Sequence, residues 1–219
     1  MAAGTESAAP AIAGQRPEPD SFSFDSESEA RIARVLAKYP EGRQASAVLP
    51  LLDLAQRQMG RLSGSAWVPR VAMDEIARRL GMPPIRVYEV ATFYLMFNTR
   101  PVGKFHLQVC TTTPCWLRGS DDIVSACKKS SGIANFGQSS PDGLFTLTEV
   151  ECLGACVNAP ILQINDDYYE DLDADRTEDL IGKLKSGEAL PPPGSTIGRM
   201  ASSPITGLTT LLPETGPAE

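Results

Sequence analysis

Several things are scarce in this 219-residue chain, and each scarcity removes a class of protein. No apolar run approaches the roughly 20 residues that span a bilayer, so no direct membrane insertion is expected. There is no G-x-G-x-x-G fingerprint and no Gly-rich phosphate cradle, so the chain is not expected to hold a dinucleotide by itself. Basic residues are outnumbered, 20 Lys+Arg against 27 Asp+Glu, for a formal charge of −7. That balance argues against nucleic acid or an anionic membrane as partner, since both need a basic face. Histidine occurs once, as His106 inside a strand-like run, and reads as a packed or surface residue rather than a ligand. No nucleophile–base pair stands out, so no catalytic residues are assigned. The first residues, MAAGTESAAPAIAGQRPEPD, lack a charged start followed by an apolar core and are too acidic for a transit peptide. The expected compartment is therefore the reducing cytoplasm, where stable disulfides are rare.

What is present reads as helices followed by an α/β layer. Residues 1–24 are Ala-, Gly-, Pro- and Ser-rich and are expected to form a disordered arm. Residues 25–100 suggest a helical bundle domain. Its first helix starts at a Ser26…Glu29 capping box and carries Ile32, Val35, Leu36 and Tyr39 at helical spacing. Further helices are expected over 47–62, 70–80 (stopped by Gly81) and 85–97, the last with Tyr88, Ala91, Thr92 and Leu95 as its inward stripe. The run MDEIARRLGMPPIRVYEV has the rhythm of a helix-turn-helix, but its second helix offers only Arg86 as a basic reader, so a packed corner is the better reading. Residues 101–190 alternate strand and helix signals. KFHLQVC is a strand ending at Cys110, a helix follows over about 119–129, and LFTLTE is a strand leading to Cys152. A hairpin turning at 165–167 and a last helix capped by Asp173 or Asp175 complete the domain, and 191–219 form an extended tail. The fold class is α+β, with a helical bundle before a small mixed sheet packed with helices.

Four of the five cysteines stand in two tight pairs: Cys110 and Cys115 in VCTTTPC, Cys152 and Cys156 in ECLGACVNAP. In a reducing compartment such pairs more often bind metal or do redox chemistry than form disulfides. Each iron of a [2Fe–2S] cluster takes two protein thiolates. C-x4-C and C-x3-C can each wrap one iron if the backbone turns sharply, which Pro114, three threonines and Gly154 allow. A structural zinc site remains open, since the first pair fits its spacing at the edge of the usual range. A thioredoxin-type dithiol needs C-x2-C, which is missing. Cys127 has no close partner and reads as a buried structural thiol. Arg118 could offset cluster charge, but a solvated arginine is the plainer reading.

VCTTTPCWLRG with EVECLGACVNAP resembles the thioredoxin-like [2Fe–2S] ferredoxin family, in particular its E-subunit branch serving NADH–quinone oxidoreductase, respiratory complex I. PPIRVYEVATFYLMFNTRPVGKFHLQVCTTTPC and IGRMASSPITGLTTLL carry the same likeness, which covers about residues 25–210. The resemblance implies a thioredoxin-like C-terminal domain and a [2Fe–2S] cluster held by Cys110, Cys115, Cys152 and Cys156, with Cys127 outside the set. It also suggests that Pro160 takes the place of the thioredoxin-fold proline facing the site; a cis Ala159–Pro160 bond is a hypothesis that a trans bond would exclude. FMN and NADH would sit on a partner, the flavoprotein F subunit, with the large iron–sulfur G subunit as a second neighbour. The chain would carry an electron without catalysing the reaction, peripheral on the inner face of the plasma membrane, or on the matrix side if mitochondrial. Related proteins serve NAD-linked formate dehydrogenases and hydrogenases, and a free-standing ferredoxin is the remaining alternative.

Overall fold

The computed structural model describes residues 17–199 and residue 203. Helices come first: α1 (Ser26–Leu36), α2 (Val48–Ser63), α3 (Arg70–Leu80) and α4 (Pro84–Phe93). Strands and helices then alternate: β1 (Phe105–Cys110), α5 (Thr113–Leu117), α6 (Ser120–Ser131), β2 (Gln138–Ser139), β3 (Phe145–Val150), β4 (Leu162–Ile164), β5 (Asp167–Glu170), α7 (Ala174–Ser186) and β6 (Gly194–Ser195). This is the α+β order expected. The chain divides into two compact units, 1–105 with 139–146 and 106–138 with 147–219, so the division falls inside β1, β2 and β3. Most of the expected arm (1–16) and of the tail (200–202 and 204–219) lies outside the described residues.

In the first unit, apolar residues at helical spacing converge on one core. Leu51, Leu52, Ala55, Val68, Ala72, Ile76 and Val87 are fully buried in it. The helix boundaries follow local chemistry, but two differ from expectation: the start of α1 and the end of α4. Asp25, not Ser26, caps α1: its carboxylate accepts the Ser28 N–H at 2.8 Å, satisfying one of the orphan donors of the first turn. Glu29 turns away from the expected capping box and pairs with Arg79, which also bonds Glu75 at 2.7 Å and lies over the Phe24 ring at 5.0 Å. Phe24 is buried and Phe22 packs beside the same core, so residues 22–24 belong to the bundle rather than to an arm. The α3–α4 corner packs on itself and on α2, with Gly81 in the left-handed region at φ 63° stopping α3.

α4 departs from expectation. It ends at Phe93, because Tyr94 leaves the helix for an extended conformation at φ −90°, ψ 113°. Val87 and Ala91 face inward, whereas Tyr88, Phe93, Tyr94, Leu95 and Met96 are exposed. The inward stripe of Tyr88, Thr92 and Leu95 read from the sequence is therefore wrong. Within α4 the buried face runs through Val87 and Ala91, one position before Tyr88 and Thr92, and the end of the helix at Phe93 takes Leu95 out of the helical register altogether. Gly103 stands just before β1, and a Cβ there would meet the Phe145 carbonyl carbon at 2.5 Å. Only glycine permits this approach of backbone to backbone.

The sheet order is β2-β3-β1-β4-β5-β6. β1 and β4 are antiparallel, with Leu107 opposite Ile164 and Val109 opposite Leu162. β4 and β5 form the expected hairpin, turning at Asn165 with φ 55°. β6 is parallel to β5. Leu107, Val109, Leu162, Ile164 and Tyr169 are buried, as are Ile123, Cys127, Leu180 and Ile181 from α6 and α7. Those two helices pack together, and Lys129 bonds Glu178 across them at 2.8 Å. Asp173 caps α7 by accepting the Arg176 N–H at 2.8 Å. Strands of two residues, such as β2 and β6, carry no alternation and were not expected.

Candidate metal-cluster site

The sheet brings the two cysteine pairs together. β1 delivers Cys110, whose N–H donates to the Ile161 carbonyl at 3.3 Å. The chain then enters α5 rather than the expected loop, with Pro114 in its first turn, where no N–H is required. That single helical turn folds Cys115 back beside Cys110, and both are buried at 1% exposure. β3 leads to Cys152, Gly154 turns the chain at φ 83°, and Cys156 opens a short 3-10 turn through Asn158. The Ala159–Pro160 bond, whose state the sequence left open, is cis. Tyr168 from β5 donates its hydroxyl to the Leu153 carbonyl at 3.1 Å, fixing the second loop. Cys110, Cys115, Ala159 and Ile161 form a separate apolar cluster lined by Leu153, Ala155 and Tyr168.

The thiol chemistry falls into pairs. Burial raises the Cys110 thiol, but hydrogen bonds from Thr112, the Leu153 N–H and Cys115 outweigh it and the net shift is downward. Burial, together with donation to Cys110, pushes Cys115 up to about 12. In the second pair the Gly154 N–H, then the Cys156 thiol, lower Cys152, while that same contact to Cys152 and then burial raise Cys156. The two sulfurs of the second pair are 3.3 Å apart. Within each pair one thiol is eased toward ionisation and its neighbour is held back from it. A metal ion binds sulfur as thiolate and offsets the repulsion between neighbouring thiolates. Among the described residues no three His, Cys, Asp or Glu side chains group around one ion. Two adjacent thiol pairs match the two-plus-two donor set of a [2Fe–2S] cluster; four thiolates are also the number that a structural zinc takes.

The remaining candidates separate cleanly. Cys127 is buried in α6, its thiol pushed up to about 12 by burial. His106 is packed, its Nε2 at 2.7 Å from the Thr148 hydroxyl, and burial lowers its pKa to about 4. The Arg118 side chain is exposed. Sequence reasoning missed Tyr168, Asn158 and Arg199, which brace the second loop; none has a spacing that marks it. Trp116, Leu117 and Val157 beside the cysteines are 58%, 70% and 62% exposed.

Fold and site together define a class: a protein with a small mixed sheet that brings two pairs of free thiols side by side. Residues 32–185 match the family described as thioredoxin-like [2Fe-2S] ferredoxin. The chain belongs to that family, whose cofactor is a [2Fe–2S] cluster. It is 54% identical over 165 residues to the E subunit of the NADH-quinone oxidoreductase of Rickettsia conorii (strain ATCC VR-613 / Malish 7), covering 75% of this chain and 95% of that protein. It is 47% identical over 196 residues to the mitochondrial NADH dehydrogenase [ubiquinone] flavoprotein 2 of Dictyostelium discoideum, covering 90% of this chain and 77% of that protein. The fold recurs in a crystal structure of an air-oxidised NAD+-reducing [NiFe]-hydrogenase, at TM-score 0.55 and 22% identity over 64% of this chain and 23% of that one.

Proposed function

We propose that this chain is the electron-carrying subunit of an NADH:quinone oxidoreductase, with Cys110, Cys115, Cys152 and Cys156 as ligands of one [2Fe–2S] cluster. The observation that carries the reading is the meeting of both thiol pairs beside one sheet, in a chain more than half identical to proteins that bear the name of that complex's E subunit. When bound, the cluster supplies reversible one-electron chemistry. The chain's own contributions are to hold and shield it. Cys110 and Cys115 anchor it in an apolar pocket that excludes water, and the N–H groups of Leu153 and Gly154 point at sulfur. Such donors stabilise added negative charge and so tune the potential. The more exposed second pair is the edge through which an electron passes.

In this reading NADH and FMN sit on a partner, the flavoprotein F subunit, with the large iron–sulfur G subunit as neighbour; the lack of a nucleotide fingerprint in this chain fits that division of labour. In this reading residues 25–100 are the docking half, 101–190 the cluster domain, and the chain is a non-catalytic subunit of the enzyme. No helix among the described residues is long and apolar enough to cross a membrane, which fits a peripheral place on the inner membrane face. Purification of the tagged chain from its native host tests the assignment. Co-eluting FMN-containing and quinone-reductase subunits are expected, whereas formate dehydrogenase or hydrogenase subunits in their place would overturn the choice of complex.

A further inference from the structure

The tail does more than leave the domain. Residues 194–199 lie beyond the 32–185 segment shared with the family, yet they are laced onto the junction of β5 with the turn behind it. The Thr196 N–H and hydroxyl both donate to the Glu170 carbonyl at 2.9 Å. Ser195 donates its hydroxyl to Asp171 Oδ2 at 2.7 Å and accepts the Arg199 N–H at 3.1 Å. The Arg199 guanidinium then bonds Asp171 Oδ1 at 3.1 Å and reaches the Val157 carbonyl at 3.4 Å. Val157 lies within the turn that Cys156 opens. The same junction grips that turn from its other side: the Asp171 N–H donates to the Asn158 carbonyl at 2.7 Å, and the Asn158 amide to Glu170 Oε2 at 2.6 Å.

Two features show that this knot is directional rather than adhesive. The Arg199–Asp171 pair is buried, at 15% and 5% side-chain exposure. Two charges taken out of water gain little over an apolar contact of the same size, so such a pair is a weak source of stability. What it offers is geometry: one nitrogen of the guanidinium, Nη1, joins the Asp171 carboxylate to the Val157 carbonyl, and the planar group fixes the direction of both bonds. Asp171 also holds φ 53°, a left-handed conformation that costs a residue with a Cβ free energy, and the bonds on both of its sides keep it there.

We propose that Gly194–Arg199 is a latch on the second cysteine loop, with Arg199 and Asp171 as positioning residues that hold the Cys156 turn where its sulfur meets the cluster. The inference rests on the ligand assignment above. It is tested on the full-length chain carrying its cluster, by the rate at which a ferrous chelator captures iron after dithionite reduction and by the g-values of the reduced protein. Arg199→Gln should speed iron capture about tenfold or more, the range typical of groups that orient metal ligands, and shift the g-values. Arg199→Lys should recover part of both effects. Lys129→Gln, which breaks an exposed ion pair on the same unit, should change neither. If Arg199→Gln does not fold, Ser195→Ala removes the hydroxyl that joins Arg199 to Asp171 and is read the same way. Unchanged capture and spectrum in the folded variant overturn the latch. If Cys156→Ser disturbs the cluster while Arg199→Gln is silent, the latch alone falls. If Cys156→Ser leaves two irons and an unchanged spectrum, the ligand assignment falls and the latch with it.

Discussion

His106 is the chain's only histidine, so its titration can be isolated. Burial lowers its pKa from 6.5 to about 4, and the unfolded chain therefore takes up the proton first as pH falls. Its contribution to stability is whole above pH 6.5 and is lost progressively down to about pH 4, by roughly 3 kcal/mol at most. Denaturant unfolding should lose stability across that window, and His106→Gln should flatten the loss relative to the parent at each pH. Asp25, held down to about 2 by the Ser28 N–H and Arg61, acts in the opposite sense of charge, and its share is lost only below about pH 4. Gly103 makes the other sharp residue-level case. Gly103→Ala drives a methyl into the Phe145 backbone, which no rotamer relieves. A loss on the order of 3 kcal/mol in chemical denaturation is expected; a loss below about 0.5 kcal/mol would mean the strands can separate there at little cost.

Among the elements, α7 depends most simply on one side chain. Asp173→Ala removes the acceptor for the Arg176 N–H and should cost about 1 kcal/mol, read as a shifted denaturation midpoint with unchanged slope. The Gly81 stop of α3 and the Asp173 cap of α7, the periodic runs of α1 to α3, α6 and α7, and the β4–β5 hairpin were legible in the sequence because each is a local rule acting on nearby residues; the α1 cap was misplaced by one residue. The cysteine pairs were legible for the same reason, since ligand spacing is itself local. The end of α4 was not. An apolar run such as Phe93 to Met96 says that water is unfavourable, not which surface covers it, so helical spacing alone carried the helix too far. Nor was α5 legible, because a five-residue helix has no period to read. The Arg199–Asp171 knot was invisible too: its partners are 28 residues apart, and each is an ordinary charge until the fold joins them.

At the scale of the whole molecule, the chain is acidic, and the second cysteine pair leaves one side of the proposed cluster site open. A buried first pair and a more exposed second pair suit a carrier that holds charge firmly and exchanges it at one edge. The central claim is that four named thiols, and not the fifth, hold a [2Fe–2S] cluster. Anaerobic iron and sulfide analysis, with EPR of the dithionite-reduced chain, measures it directly on three proteins: the parent, Cys127→Ser and Cys152→Ser. About two irons and two sulfides with an S = 1/2 signal are expected in the parent and in Cys127→Ser, with loss or distortion of the signal in Cys152→Ser. One zinc and no sulfide in the parent, or an intact signal in Cys152→Ser, would contradict the claim.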